Sequence, residues 1–180
     1  MRHLKTTTAA LACAFALIPA AVATAGTGPA PAPTARTTTT STTAAASTAP
    51  SADGNPASPR ARAAGVCADA YQIGSTGYIT RAGKTAASVK QFYSPSCAKN
   101  YGYVWVWQSF RDAVGDYDVT AAVYSYSQDE VLGKHSWTNT DGQEFWSSGT
   151  STVNECTAGS GTVRAAGDPA PVGGYSSKRC

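Results

Sequence analysis

Tyr101-Gly102-Tyr103-Val104-Trp105-Val106-Trp107 is the most strongly patterned run in this chain. Along an extended strand, successive side chains point to opposite faces. Tyr101, Tyr103, Trp105 and Trp107 therefore share one face, and Gly102, Val104 and Val106 the other, joined by Phe110 after Gln108. Aromatic and β-branched residues in alternation mark β-structure. Two apolar faces describe a central strand covered on both sides, or one whose aromatic face is open for binding. An open row would stack on sugar rings, which makes Tyr101, Tyr103, Trp105 and Trp107 a candidate ligand platform. Aromatic side chains are also the largest contributors to core burial, and large exposed apolar patches are uncommon on monomers. These two facts favour the covered arrangement.

Short alternating runs separated by glycine-bearing turns surround this strand, as in antiparallel β-structure. Residues 78–81 and 85–92 flank Ala82-Gly83-Lys84 as a first hairpin. The aromatic strand reads on through residue 111 and turns at Asp112-Ala113-Val114-Gly115 into a partner at 117–127. A third pair, 134–138 and 143–147, closes around Asn139-Thr140-Asp141-Gly142, because Asp and Gly tolerate the positive φ of a tight turn. Residues 162–165 supply a last edge strand, and 129–132 make one helical turn at most. No amphipathic helix is expected. The expected fold class is all-β: a small antiparallel sandwich or partly closed barrel pinned by two disulfides.

Ahead of this domain the chain changes character. Residues 1–25 have the parts of a signal peptide: a basic start with Arg2, His3 and Lys5, an Ala/Leu/Val-rich stretch, and the small residues Ala23-Thr24-Ala25 before a cleavage point at Gly26. Cys13 sits in a poor lipobox and leaves with the leader. Residues 26–64 contain no aromatic residue and no aliphatic one larger than alanine, so they read as a disordered Ala/Thr/Pro/Ser-rich tether. The folded domain is then 65–180, with a stable core expected from about Ala64. The expected location is secreted, with no membrane attachment after cleavage.

The full chain carries a formal +3. Arg2 and Lys5 go with the leader, which leaves 12 basic against 11 acidic residues, a net +1. Arg60 and Arg62 are too small a basic spot for a nucleic-acid footprint. Nucleic acid and anionic membranes are thus poor partners; a cell-wall polysaccharide or an extracellular protein is the expected one.

Behind the leader stand Cys67, Cys97, Cys156 and Cys180, an even set that reads as two disulfides in an exported domain. Cys180 closes the sequence, so that end is expected to be tied covalently. Loop entropy alone favours Cys67–Cys180 with Cys97–Cys156 by about 2 kcal/mol in total. At Tyr93-Ser94-Pro95-Ser96-Cys97, Pro95 ends a strand and holds Ser94 extended, so a turn there serves to present Cys97 to an earlier strand. Over about residues 66–111 the chain resembles a family of exported actinobacterial proteins of uncharacterised function. Their domain opens with a cysteine, here matched by Cys67, and reaches a Tyr-Ser-Pro-x-Cys motif, here ending at Cys97. An aromatic residue follows, as a rule tryptophan, where this chain has Tyr101. The resemblance implies pairing of Cys67 with Cys97, hence Cys156 with Cys180, and carries no activity over.

Chemistry-bearing patterns are sparse. His135, in Gly133-Lys134-His135-Ser136-Trp137, is the one histidine outside the leader. No nucleophile elbow or Ser-x-x-Lys set occurs. Asp116 and Asp118 alternate beside a turn, with Asp129 and Glu130 in the next loop; paired carboxylates of this kind serve glycoside hydrolysis or Ca²⁺ binding. No catalytic residue, metal site or cofactor is assigned from these patterns. The reading is a secreted non-enzymatic binding or structural module associated with the cell wall. The alternatives are a secreted protease inhibitor using the loop at 165–174, with Pro169 and Pro171, and a small extracellular hydrolase using His135 or the Asp116/Asp118 pair.

Overall fold

The computed structural model describes residues 47–180. The signal-peptide and cleavage readings, and the tether as far as residue 46, lie outside the described residues. The elements are α1 (Pro59–Ala63), β1 (Tyr71–Arg81), β2 (Lys84–Ser94), β3 (Lys99–Val106), α2 (Gln108–Val114), β4 (Tyr117–Ser125), β5 (Glu130–Thr140), β6 (Glu144–Trp146), β7 (Thr157–Ala165) and β8 (Val172–Tyr175). Two four-stranded antiparallel sheets form, ordered β1-β2-β3-β6 and β5-β4-β7-β8. The all-β sandwich is as expected; the sheets do not close into a barrel. Among the described residues no helix is long and apolar enough to cross a membrane.

The first hairpin forms where expected. Arg81 pairs with Lys84, and Ala82 and Gly83 between them both take positive φ, the backbone a two-residue hairpin turn needs. β1 starts earlier than the pattern indicated, because a bulge between Ile73 and Gly77 interrupts its alternation.

Beyond Val106 the strand reading fails. The chain enters α2 from Trp107 and leaves it at Gly115, with φ +67. Val106 and Phe110 are four residues apart, so a helical turn returns Phe110 to the core face that a strand would also have given it. Side-chain bonds Gln108–Asp112 and Arg111–Gln108 brace the turn. The helix carries the chain from one sheet to the other, so β3 and β4 are not a hairpin. Residues 134–138 and 143–147 are not a pair either. β5 lies beside β4, while β6 crosses back to pair with β3. Gly142 does not take positive φ; Asn139 does, at +48. Arg111 Nε bonded to Asp141 O and Tyr117 OH bonded to Gly142 O hold that crossing. Asp129 ends a turn with φ +53 and residues 130–132 open β5 instead of making a helical turn, and 162–165 belong to β7, which is interior between β4 and β8.

Between the sheets Ile79, Val89, Val104, Val106, Tyr117, Val119, Phe145 and Val163 form the main core. The sheets come backbone to backbone where glycines permit. A Cβ on Gly102 would sit 1.8 Å from Ala122 O, and one on Gly159 would sit 2.2 Å from Lys90 O. Cys67–Cys97 and Cys156–Cys180 are the two disulfides.

A second apolar cluster covers the other face of the first sheet: Phe92, Tyr101, Tyr103, Trp105 and Trp146 pack under Ala61, Val66 and Ala70. The boundary at residue 64 is therefore corrected, since residues 47–64 lie across this face as a strap. Small side chains are the reason it fits. The apolar surface comes from the rings of the sheet, and a strap of Ala, Ser and Gly brings its backbone close to them. A Cβ on Gly54 would stand 2.3 Å from the Phe92 ring. Ser58 caps α1 by accepting from Ala61 N at 3.0 Å, Pro59 opens the helix, and Ala61 is fully buried.

The Tyr93–Cys97 motif closes through Asp69. Its carboxylate accepts bonds from Ser94 Oγ (2.6 Å), Ser96 N (2.8 Å) and Ser96 Oγ (2.7 Å). Led by the Ser94 hydroxyl, these donors hold the Asp69 pKa down to about 2. A depressed carboxylate stabilises the fold above its unfolded pKa, and that contribution fades as pH falls through the folded value. The contribution from Asp69 should thus be lost from about pH 4 down to 2. Carboxyl-carbon NMR should find its midpoint near 2, rising in Ser94→Ala; an ordinary midpoint in the native protein would mean the clamp does not form.

Candidate functional site

The aromatic row of β3 is not an open platform. Tyr101 and Tyr103 are fully buried and Trp105 is 8% exposed, all within the cluster closed over by the strap and the residues after it, Val66, Cys67 and Ala70. Tyr103 OH donates to Ser51 O at 2.6 Å. Burial, then the nearby carboxylates of Glu144 and Asp53, push the Tyr103 pKa up, so the phenol stays a donor. Trp107 lies past the strand end, half-buried at the start of α2. Exposed aromatics lie elsewhere: Tyr71 and Tyr78 on β1, and Tyr126 and Tyr175 by the other sheet, where Tyr124 sits 4.9 Å from Tyr126 and 5.6 Å from Tyr175.

Strand register places a different set of residues at one flank of the strap. Across the face, Ser88, Trp105 and Glu144 form one cross-strand row, and Lys90, Tyr103 and Trp146 the next. Glu144 and Trp146, alternate residues of β6, meet His135 and Trp137, alternate residues of β5. With Arg60, Ala63 and Ala64 they line a notch of about 200 Å³. That is below the roughly 300–1,000 Å³ of drug-sized pockets, and suits one ring.

Glu144 lies at the centre of this arrangement and is 1% exposed. Its Oε1 accepts from Ser58 Oγ and from Trp146 Nε1, both at 2.9 Å. Its Oε2 has no partner. An unmet buried polar atom costs about 1–3 kcal/mol, more when charged, so this oxygen calls for a donor. Arg60 makes no ion pair with it; the guanidinium lies over the Phe145 ring, 5.6 Å from its centre. His135 packs edge-on to Trp137 at 5.8 Å, and its Nε2 is 2.8 Å from Ser148 Oγ. An acceptor carboxylate among indole rings takes a group with hydrogen-bond donors on an apolar ring.

The other expected site residues do not assemble. Asp118 is bonded by Asn139 N (3.1 Å) and by Arg164 (2.7 Å), which hold its carboxyl below the ordinary range, while Asp116 is exposed and outside that network. Asp129 accepts from Tyr124 OH, and Glu130 is exposed at the start of β5. In the 165–174 loop, Val172 to Gly174 belong to β8, and Asp168 is clamped by Arg81 at 2.6 and 2.7 Å. Pro169 and Pro171 remain exposed. Glu144 escaped the sequence reading, although a lone carboxylate within Gln143-Glu144-Phe145-Trp146 is a charge in an otherwise apolar strand. No protein-family model, no curated protein and no solved structure matches this chain.

Proposed function

We propose that this is an exported, non-enzymatic binding module whose ligand is a sugar unit of a wall polysaccharide, held in the notch of Glu144, Trp137, Trp146 and His135. The observation that carries it is the partnerless Oε2 of buried Glu144 in a notch lined by two tryptophans. A sugar hydroxyl meets the carboxylate while the apolar face of its ring packs on indole. The leader pattern and the two disulfides support a place outside the cell.

Retention of the purified protein on isolated cell-wall polysaccharide tests the reading. Glu144→Gln, which keeps an acceptor for Ser58 and Trp146, and Trp137→Ala should each weaken retention tenfold or more with the circular dichroism unchanged. A native protein that does not bind, or variants that bind as well as it does, would overturn it.

The His135–Ser148 contact favours a second reading, a small hydrolase, since a serine within reach of a histidine is the core of a nucleophilic pair. Against it, Ser148 does not line the notch and, among the described residues, no carboxylate orients His135. Ester or glycoside turnover abolished by both His135→Ala and Ser148→Ala would establish the hydrolase in place of the binder.

A further inference from the structure

The opposite flank of the strap holds a second, smaller cavity of about 160 Å³, bordered by Ala52, Asp53, Thr76, Tyr78, Ser88, Lys90 and Trp107. Its polar groups are in deficit. Ser88 Oγ and Trp107 Nε1 are both buried without a hydrogen-bond partner. The Lys90 side chain is 7% exposed, and its ammonium has one partner, the Asp53 carboxylate at 3.3 Å. Asp53 is itself fully exposed, so that contact is long and held from the solvent side. An indole N–H and an ammonium only donate, and a serine hydroxyl can donate too. The cavity therefore presents three donors, and the one carboxylate at its border, Asp53, bonds Lys90 and neither of the other two.

We propose that this cavity is a binding site for a monocarboxylate. One ammonium balances one negative charge, the two neutral donors match the remaining lone pairs of a carboxylate, and nearby Asp53 disfavours a dianion. Asp53 acts as an internal stand-in: its carboxylate reaches Lys90, while Ser88 and Trp107 stay unmet. An external carboxylate entering the cavity bonds all three and releases Asp53 to water. The shared chemistry belongs to a peptide C-terminus or a sugar acid alike. The site stands independently of the Glu144 notch.

The test is an NMR titration of the whole folded protein with sodium acetate, followed at the Trp107 indole N–H and assigned through Trp107→Phe. Sodium chloride and sodium phosphate at equal ionic strength serve as controls. A saturable shift of that resonance by about 100 mM acetate is expected, since even a millimolar site fills there. Asp53→Asn should tighten binding at least threefold by removing the internal competitor, and Lys90→Met should weaken it at least tenfold. If Lys90→Met does not fold, Asp53→Asn decides, because an exposed side chain supports little of the fold. N-acetylalanine and glucuronate then separate the two sources by which binds more tightly. No saturable shift, an equal shift with phosphate, or an Asp53→Asn affinity no tighter than native would overturn the proposal.

Discussion

Replacing Ser58 by alanine is expected to destabilise the domain by about 2–4 kcal/mol, far more than one hydroxyl outside the β-sandwich would ordinarily cost. The hydroxyl has two tasks. It accepts from Ala61 N as the cap of α1, a role whose loss costs about 1 kcal/mol. It also donates to Glu144 Oε1, and a bond to a buried charge contributes roughly 1.5–3 kcal/mol. Without it, Trp146 Nε1 is the one remaining protein donor to that carboxylate. At about 2 kcal/mol per molar urea, the middle of the usual range for small proteins, the unfolding midpoint should fall by about 1–2 M. A chain begun at Gly65 should go further and bind a hydrophobic dye in its native baseline, because Phe92, Tyr103, Trp105 and Trp146 lose the cover that residues 47–64 supply. A Ser58→Ala protein within about 0.5 kcal/mol of the native one, the range of ordinary surface changes, would show that the strap is not docked in solution.

Gly102→Val should prevent the sandwich from forming. A Cβ there would stand 1.8 Å from Ala122 O, 2.6 Å from its carbonyl carbon and 3.0 Å from its nitrogen. All three atoms are backbone, and Ala122 lies in a strand paired on both sides, so nothing yields without moving a sheet. Ordinary overpacking costs about 1–3 kcal/mol against flexible neighbours; this contact should exceed that range even in Gly102→Ala. Gly173→Ala is the matched control, with ordinary contacts at 3.4 Å or more and no positive φ, and should change stability by less than about 1 kcal/mol. Soluble expression and thermal melting of the two alanine variants side by side decide the point. Equal melting temperatures would mean the sheets are farther apart than described.

Much of the β-structure was legible in the residues, and much of its connectivity was not. Ala82-Gly83 announces a hairpin through backbone conformation, a local property. The partners of β4 and β6 are non-local, and alternation says which face a residue takes without saying which strand lies beside it. Phe110 hides α2 because a four-residue step fits both periods. The strap was missed for a different reason. Its own residues carry too little apolar surface to order themselves, and that surface is supplied by rings far along the chain, from Phe92 to Trp146. The site followed suit: the aromatic row is visible and buried, while Glu144 matters through a missing partner, which no sequence pattern records.

The strap and the Cys67–Cys97 bond together give the domain a mechanical character. Tension drawn from ahead of residue 47 meets the strap's attachments in series: the Ser51 carbonyl on Tyr103, the Ser58 hydroxyl on Glu144, then the Ala61 methyl in its seat. Arranged in chain order, they would be loaded one at a time, as in peeling, until the load reached Cys67. There the disulfide passes it to Cys97, between β2 and β3, and the peeling stops. Force applied there would thus uncover the aromatic face before it loads either sheet.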